Sequence, residues 1–220
     1  VGGVVGYNTA VLENISFSGS VTGSANYVGG VIGYNTGNMN YIYCDGSVTG
    51  GASYIGGIIG ANSAKVQNAN NKATVTGSNT VSGVAVGGIV GQNLTGANIF
   101  NLVNSANITA SKYDNVGGLV GQNQATLKNS FSTGNVTAKS QVGGVVGQNT
   151  GTVVNTYNNG TIKGSSTYVG GVVGYANSGT ISYTYYLQGC AQDGNSVAQR
   201  GIGNATLGST TGDITDKTEP

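Results

Sequence analysis

Apolar residues along this chain come in bursts of one to three, each broken by glycine or a small polar residue. No stretch keeps the i, i+3, i+4, i+7 spacing of a helix. Glycine inside the bursts argues the same way, since each one in a helix interior costs about 1 kcal/mol relative to alanine. The bursts recur instead at long range. The pattern V-G-G-x-V-G-x-N starts at Val1, Val28, Ile55, Val86, Val116, Val142 and Val169, with offsets of 27, 27, 31, 30, 26 and 27 residues. A second apolar point follows in each copy, at Leu12, Met39, Val66, Ile99, Leu127, Val153 and Ile181. Two residues later stands Asn14, Tyr41, Asn68, Asn101, Asn129, Asn155 or Tyr183. A third block of the form S/T/N-V/I-T-G/A is centred on Val21, Val48, Val75, Ile108, Val136 and Ile162.

Each unit therefore carries three short β-branched segments separated by turn-forming residues. A unit of this size cannot close its own core, but units stacked in register bury equivalent residues against one another at about 4.8 Å per rung. The expected fold is all-β: a parallel β-solenoid of about seven rungs with three short strands each, right-handed by the default of parallel crossovers. Length variation between copies falls at Ser78–Ala85 and Leu94–Ala97, between the blocks, where a solenoid tolerates insertion. The repeats occupy residues 1–186. Residues 187–220 collect Asp193, Arg200, Asp213, Asp216, Lys217 and Glu219 and read as a polar C-terminal cap followed by a linker.

Two residue types recur with the period. Glycine in the first block permits a bend or a close backbone approach, and alternation leaves open whether Val1, Gly3 and Val5 or Gly2, Val4 and Gly6 face inward. Asn8, Asn35, Asn62, Asn93, Asn123 and Asn149 follow the last glycine, where asparagine suits a turn or a left-handed residue, and stacking would make them an amide ladder. Ala176 breaks that column in the seventh copy.

These residues resemble the GLUG motif, a repeat named for its G-L-x-G core. Val116-Gly117-Gly118-Leu119-Val120-Gly121-Gln122-Asn123 is the closest copy within the chain, and the resemblance spans residues 1–186. The resemblance implies an extracellular or cell-surface bacterial protein, adhesin-like or attached to an IgA-specific peptidase, in which such repeats serve as stalk or adhesive region. Any peptidase chemistry would lie in other domains of a longer chain. The opening inside a repeat, at Val1-Gly2-Gly3, fits an excised segment.

Composition narrows the chemistry. Glycine supplies 41 residues against one proline, and collagen would require much more proline and a glycine at every third position. Only 7% of residues are charged and the net charge is +1, so no basic stripe is available for nucleic acid. No apolar run is long enough for membrane insertion. Histidine is absent, which removes Ser-His-Asp and Cys-His arrangements. Asp45 and Asp114 belong to rungs about 14 Å apart, too far to act as a carboxylate pair. The Gly29-Gly30-x-x-Gly33 spacing lacks the helix of a dinucleotide site, and Gln92-Asn93 stands where calcium-binding repeats place aspartate. No enzyme activity, cofactor or metal is expected. Cys44 and Cys190 lie about 25 Å apart along the stack and are expected as two buried free thiols.

One candidate binding face remains. Ser20, Thr22, Ser47, Thr49, Thr74, Thr76, Thr109 and Thr137 flank the apolar centre of the third block, so both flanking columns point outward when that centre points in. The result is a regular hydroxyl sheet similar to the T-x-T faces of ice-binding solenoids, suited to a ligand, a glycan or ice; Lys163 breaks it. Against this stands the ordinary suitability of threonine for an exposed strand. Tyr27, Tyr54 and Tyr168 could stack on sugars, but Ala85, Asn115 and Gln141 interrupt their column. Expected partners are a host protein or glycan and further domains of the same chain.

Overall fold

The second repeat shows how one rung is laid down. Tyr27–Gly29 forms a strand, the chain bends at Gly30 and Val31, and Ile32–Asn35 runs on as a strand of a different sheet. A corner at Thr36–Asn38 leads into Met39–Gly50 on the third side. These sides belong to three sheets, here A, B and C, with six, eight and fifteen strands among the described residues. From the third repeat onward the long C strand breaks in two, as Lys65–Asn71 and Thr74–Gly77. The computed structural model describes residues 1–51, 53–78, 84–194, 196–197, 200–205, 210–211 and 214–217; the insertion between Ser78 and Ala85 therefore lies largely outside the described residues.

Every regular element among the described residues is a β-strand, and the rungs pair in parallel with equivalent residues opposite each other: Val28 with Ile55, Ile55 with Val86, Val86 with Val116. The all-β parallel solenoid expected from the repeat is thus the fold. The first block is not one strand, however. It crosses a corner between sheets A and B, and the question of which face is buried dissolves. Val28, Val31 and Ile32 are all fully buried, because they enter the core from different sides of the bend. Val31, Ile58, Ile89, Leu119, Val145 and Val172 form a single buried file at this corner. Two successive amides there donate to one carbonyl of the next rung, Val31 N and Ile32 N to Ile58 O at 2.9 Å each.

The corner explains the glycines. A Cβ on the first of the pair, as at Gly56, would sit closer than 3.0 Å to the Ile59 and Ile89 carbonyls. On the second it would strike the next rung's backbone and an inward side chain of sheet C: Cys44 for Gly30, Asn71 for Gly57, Asn104 for Gly88. The third glycine abuts the previous rung, so that a Cβ on Gly91 would meet Gly60 O at 2.5 Å and Ile55 N at 2.7 Å. None of these motif glycines has positive φ; lack of a Cβ, not conformational freedom, is what the site requires.

Left-handed backbone occurs elsewhere. Asn14, Tyr41, Asn68, Asn101, Asn129, Asn155 and Tyr183 all have φ between 50° and 57°. Each is an extra residue in the C strand, a bulge that places two outward residues between successive inward ones, such as Ile99 and Leu102. Asparagine accommodates this conformation readily; tyrosine does so at a cost of about 1–2 kcal/mol.

The corner asparagines, by contrast, are not left-handed, which corrects that part of the sequence reading. Their ladder is present. Asn8 Nδ2 donates to Asn35 Oδ1 at 2.8 Å, Asn35 to Asn62 at 2.8 Å, Asn62 to Asn93 at 3.2 Å, Asn93 to Asn123 at 2.9 Å and Asn123 to Asn149 at 2.8 Å. The same amides close the corner by donating to a carbonyl two residues on, such as Gly37 O. In Asn8, Asn35, Asn62 and Asn123 both amide hydrogens are used, which lets the amides be buried.

Strand pairing continues past residue 187, where the cap was expected to begin. Ala191–Asp193 completes the seventh rung by pairing with Ile162–Gly164. Ile202–Ala205 then adds an eighth strand to sheet B, and Ile214–Lys217 pairs in parallel with Thr184–Leu187. The tail covers the end of the stack as a further rung. Its apolar signal is weak because Gly201 stands opposite Val172, but Ile202 still faces Val173 and the backbone bonds persist, with Val172 N donating to Gly201 O at 2.8 Å. Of the closing residues 215–220, whose composition suits a linker, 215–217 belong to this last strand and 218–220 lie outside the described residues.

Gly91→Ala tests the steric account. It is expected to destabilise by about 3 kcal/mol in chemical denaturation, the upper end for overpacking. Gly6→Ala, the same motif position with nothing within 4 Å of an added Cβ, should change stability by less than about 0.5 kcal/mol.

Candidate functional site

Sheet C brings the predicted hydroxyl residues together. Ser20 pairs with Ser47 and Ser47 with Thr74, while Thr22, Thr49, Thr76, Thr109 and Thr137 follow one another in register. Val21, Val48, Val75, Ile108 and Val136 between them are buried, so both columns face outward. Ser47 Oγ donates to Ser20 Oγ at 3.0 Å, and farther along Asn135 N donates to Asn107 Oδ1 at 3.0 Å. Beyond Thr137 the second column continues as Lys163 and Gln192. A shallow groove of about 240 Å³ lies there, between Asn135, Thr137, Thr161 and Lys163.

The tyrosines do not form a continuous platform. Tyr27 stacks on Tyr54 at 5.7 Å between ring centres and meets Tyr34 edge-on at 5.1 Å, and Tyr34 in turn stacks on Tyr7 at 5.4 Å. Tyr168 stacks on Tyr175 at 5.5 Å, several rungs away. A glutamine ladder occupies the positions between on sheet B, Gln92 Nε2 donating to Gln122 Oε1 at 3.0 Å and Gln122 to Gln148 at 2.7 Å.

A second outward face was not recognised from the sequence. The bulge residues line up beside a column running Tyr43, Asn70, Val103, Phe131, Tyr157, Tyr185. Asn68 Nδ2 donates to Asn40 Oδ1 at 2.8 Å, Asn101 Nδ2 to Asn68 Oδ1 at 3.1 Å and Asn155 Nδ2 to Asn129 Oδ1 at 2.9 Å. Over the last three repeats a groove of about 250 Å³ opens between these columns, touched by Phe131, Tyr157, Tyr185, Asn129 and Asn155. The recurrence of asparagine two residues after the second apolar point was the signal. Its meaning depended on the bulge.

Charged groups are engaged locally. Asp45 accepts from the Tyr43 hydroxyl at 3.2 Å and from Gly46 N at 2.7 Å, and Asp114 pairs with Lys139 at 3.5 Å. Lys65 and Lys128 approach the Phe100 ring at 5.4 and 5.2 Å. Both cysteines are buried free thiols, as expected. Burial, the larger cause, and the Asp45 carboxylate push Cys44 up to about 12 from an ordinary value of 9.0. Burial pushes Cys190 up to about 11, against a hydrogen bond from Asn158 that lowers it.

The folded state therefore favours both neutral thiols, and the unfolded chain loses their protons first. Stability is retained below pH 9 and declines as the pH rises from about 9 toward those two values. In mildly alkaline buffer neither thiol should react with iodoacetamide over hours, and both should react in concentrated urea. Rapid labelling of the native protein would contradict the burial of the cysteines.

Residues 113–137 match the family model of the GLUG motif. The matched segment is one rung: strand Val116–Gly117 of sheet A, Val120–Asn123 of sheet B, Thr126–Ser132 of sheet C and the start of Val136–Ala138. No curated protein and no solved structure matches the chain. Since the rungs on either side pair with this one position for position, and each further rung with its neighbour, the match supports reading the stack as a GLUG-repeat region.

Proposed function

We propose that this chain is a non-enzymatic structural and adhesive module of a bacterial cell-surface protein. It works outside the cell as a stalk, or as a long binding face for a host protein or glycan, joined to other domains of its own chain. The reading is carried by the in-register stacking of equivalent positions, from Val28 through Ile55, Val86, Val116 and Val142 to Val169. A stack of this kind holds its ends at a set distance, about 5 Å per rung, and repeats whatever group it displays on its outside.

A second reading, a ligand- or ice-binding solenoid, draws on the two hydroxyl columns at Ser20–Ser47–Thr74 and Thr22–Thr49–Thr76–Thr109–Thr137. Their regular two-dimensional spacing suits a lattice-like or repetitive partner.

Surface display separates these. Placed between a membrane anchor and a tagged head, the chain should hold the head about 5 Å higher than a version lacking the rung 116–141, as read by energy transfer to the membrane. Equal heights for two folded versions would end the stalk reading. Thr76→Tyr with Thr109→Tyr should abolish thermal hysteresis or ligand capture by the hydroxyl face; if both are unchanged, that face is not the binding surface.

A further inference from the structure

We propose that the groove on the outer face of sheet C, over the last three repeats, binds a neutral glycan chain lying along the solenoid axis. The inference deepens the binding-face reading above, but on a face other than the hydroxyl columns.

A uniform stalk requires only uniform stacking, and here adjacent columns depart from uniformity together. Outside, Asn70 and Val103 give way to Phe131, Tyr157 and Tyr185, which follow one another in register on successive rungs. Inside, behind them, Ile42, Ala69 and Leu102 give way to Ser130, Thr156 and Thr184. Phe131 is 42% exposed, an apolar ring held in water on a strand where a polar residue would serve folding as well.

The groove is lined by the aromatic residues of one column and the amides of the other. Left-handed backbone at Asn129 and Asn155, with φ of 50° and 52°, places their side chains outward in neighbouring rungs. The bond from Asn155 Nδ2 to Asn129 Oδ1 leaves the Asn129 amide nitrogen as donor and the Asn155 amide oxygen as acceptor.

A pyranose ring has the complementary chemistry: an apolar C–H face for an aromatic ring and hydroxyls at its rim for amides. No charged residue lines the groove, which matches a neutral saccharide and gives an acidic polysaccharide or a nucleotide nothing to pair with. The strands beneath are already hydrogen-bonded on both sides, so a peptide cannot add to the sheet there. Rings on three successive rungs span about 10 Å, room for consecutive sugars of an extended chain.

The test titrates the whole chain with neutral hexasaccharides of glucose, xylose, mannose and N-acetylglucosamine, and with hexagalacturonate as the acidic comparison. Binding is followed by the NMR signals of the phenylalanine and tyrosine rings. At least one neutral probe should bind and hexagalacturonate should not. Phe131→Ala with Tyr157→Ala should weaken binding roughly ten-fold or more. Asn129→Gly with Asn155→Gly should do the same while keeping the left-handed backbone, and so remains informative if the aromatic pair fails to fold.

Overturning results are distinct. If no neutral probe binds, or binding survives both groove pairs, the groove is not a glycan site. Tighter binding of hexagalacturonate would overturn the neutral assignment. Loss of binding only in Thr76→Tyr with Thr109→Tyr would overturn the groove while leaving an adhesive face standing. The head-height measurement stays independent of all these outcomes.

Discussion

The structure rests on backbone hydrogen bonds passed from each rung to the next in parallel register. A single rung buries almost nothing by itself. Its amides find carbonyls one repeat away, as Val31 and Ile32 find Ile58 O, and that pairing sets each side chain over its own equivalent. Every position must therefore tolerate copies of itself at about 4.8 Å on both sides.

Most of the composition follows from that rule. Branched apolar residues satisfy it in the core, where a fully buried valine, leucine or isoleucine contributes about 1.5–3 kcal/mol. Asparagine satisfies it at the corner, because an amide is both donor and acceptor and can bond its copies in series, from Asn8 to Asn149. Like charges do not satisfy it, since stacked at this distance they repel by about 1 kcal/mol even in water. Charged residues accordingly stand singly or beside a ring or an opposite charge, as Lys65 and Lys128 do at Phe100 and Lys139 does at Asp114.

The same rule divides the molecule into an interior under tight constraint and an exterior that is freer. The inward file at the corner keeps one character from Val31 to Val172, whereas inward columns of sheet C vary, as from Ile42 to Thr184 and from Cys44 to Asn158. Outward columns change: sheet B runs from Tyr7 and Tyr34 to Gln92, Gln122 and Gln148, and sheet C from Asn70 and Val103 to Phe131, Tyr157 and Tyr185. The proposed glycan groove lies among these outward departures, whereas the family match at residues 113–137 covers one whole rung.

By itself the sequence determined the repeat, the parallel register, the buried files of apolar residues, the amide ladder and the outward hydroxyl columns. Each of these depends on residue type at a constant period, and period is visible in one dimension. The tertiary structure alone decided where the chain bends. Val28, Gly29, Gly30, Val31 and Ile32 look like a strand because local spacing cannot distinguish alternation from a corner; the opposing Cys44 and the neighbouring Gly57 leave no room for a Cβ at Gly30. Likewise the left-handed bulge at Asn101, the groove beside Phe131 and the eighth rung built from Ile202–Ala205 depend on what lies one rung away or across the core. Those contacts join residues some 26 or more positions apart, and nothing in the local pattern records them.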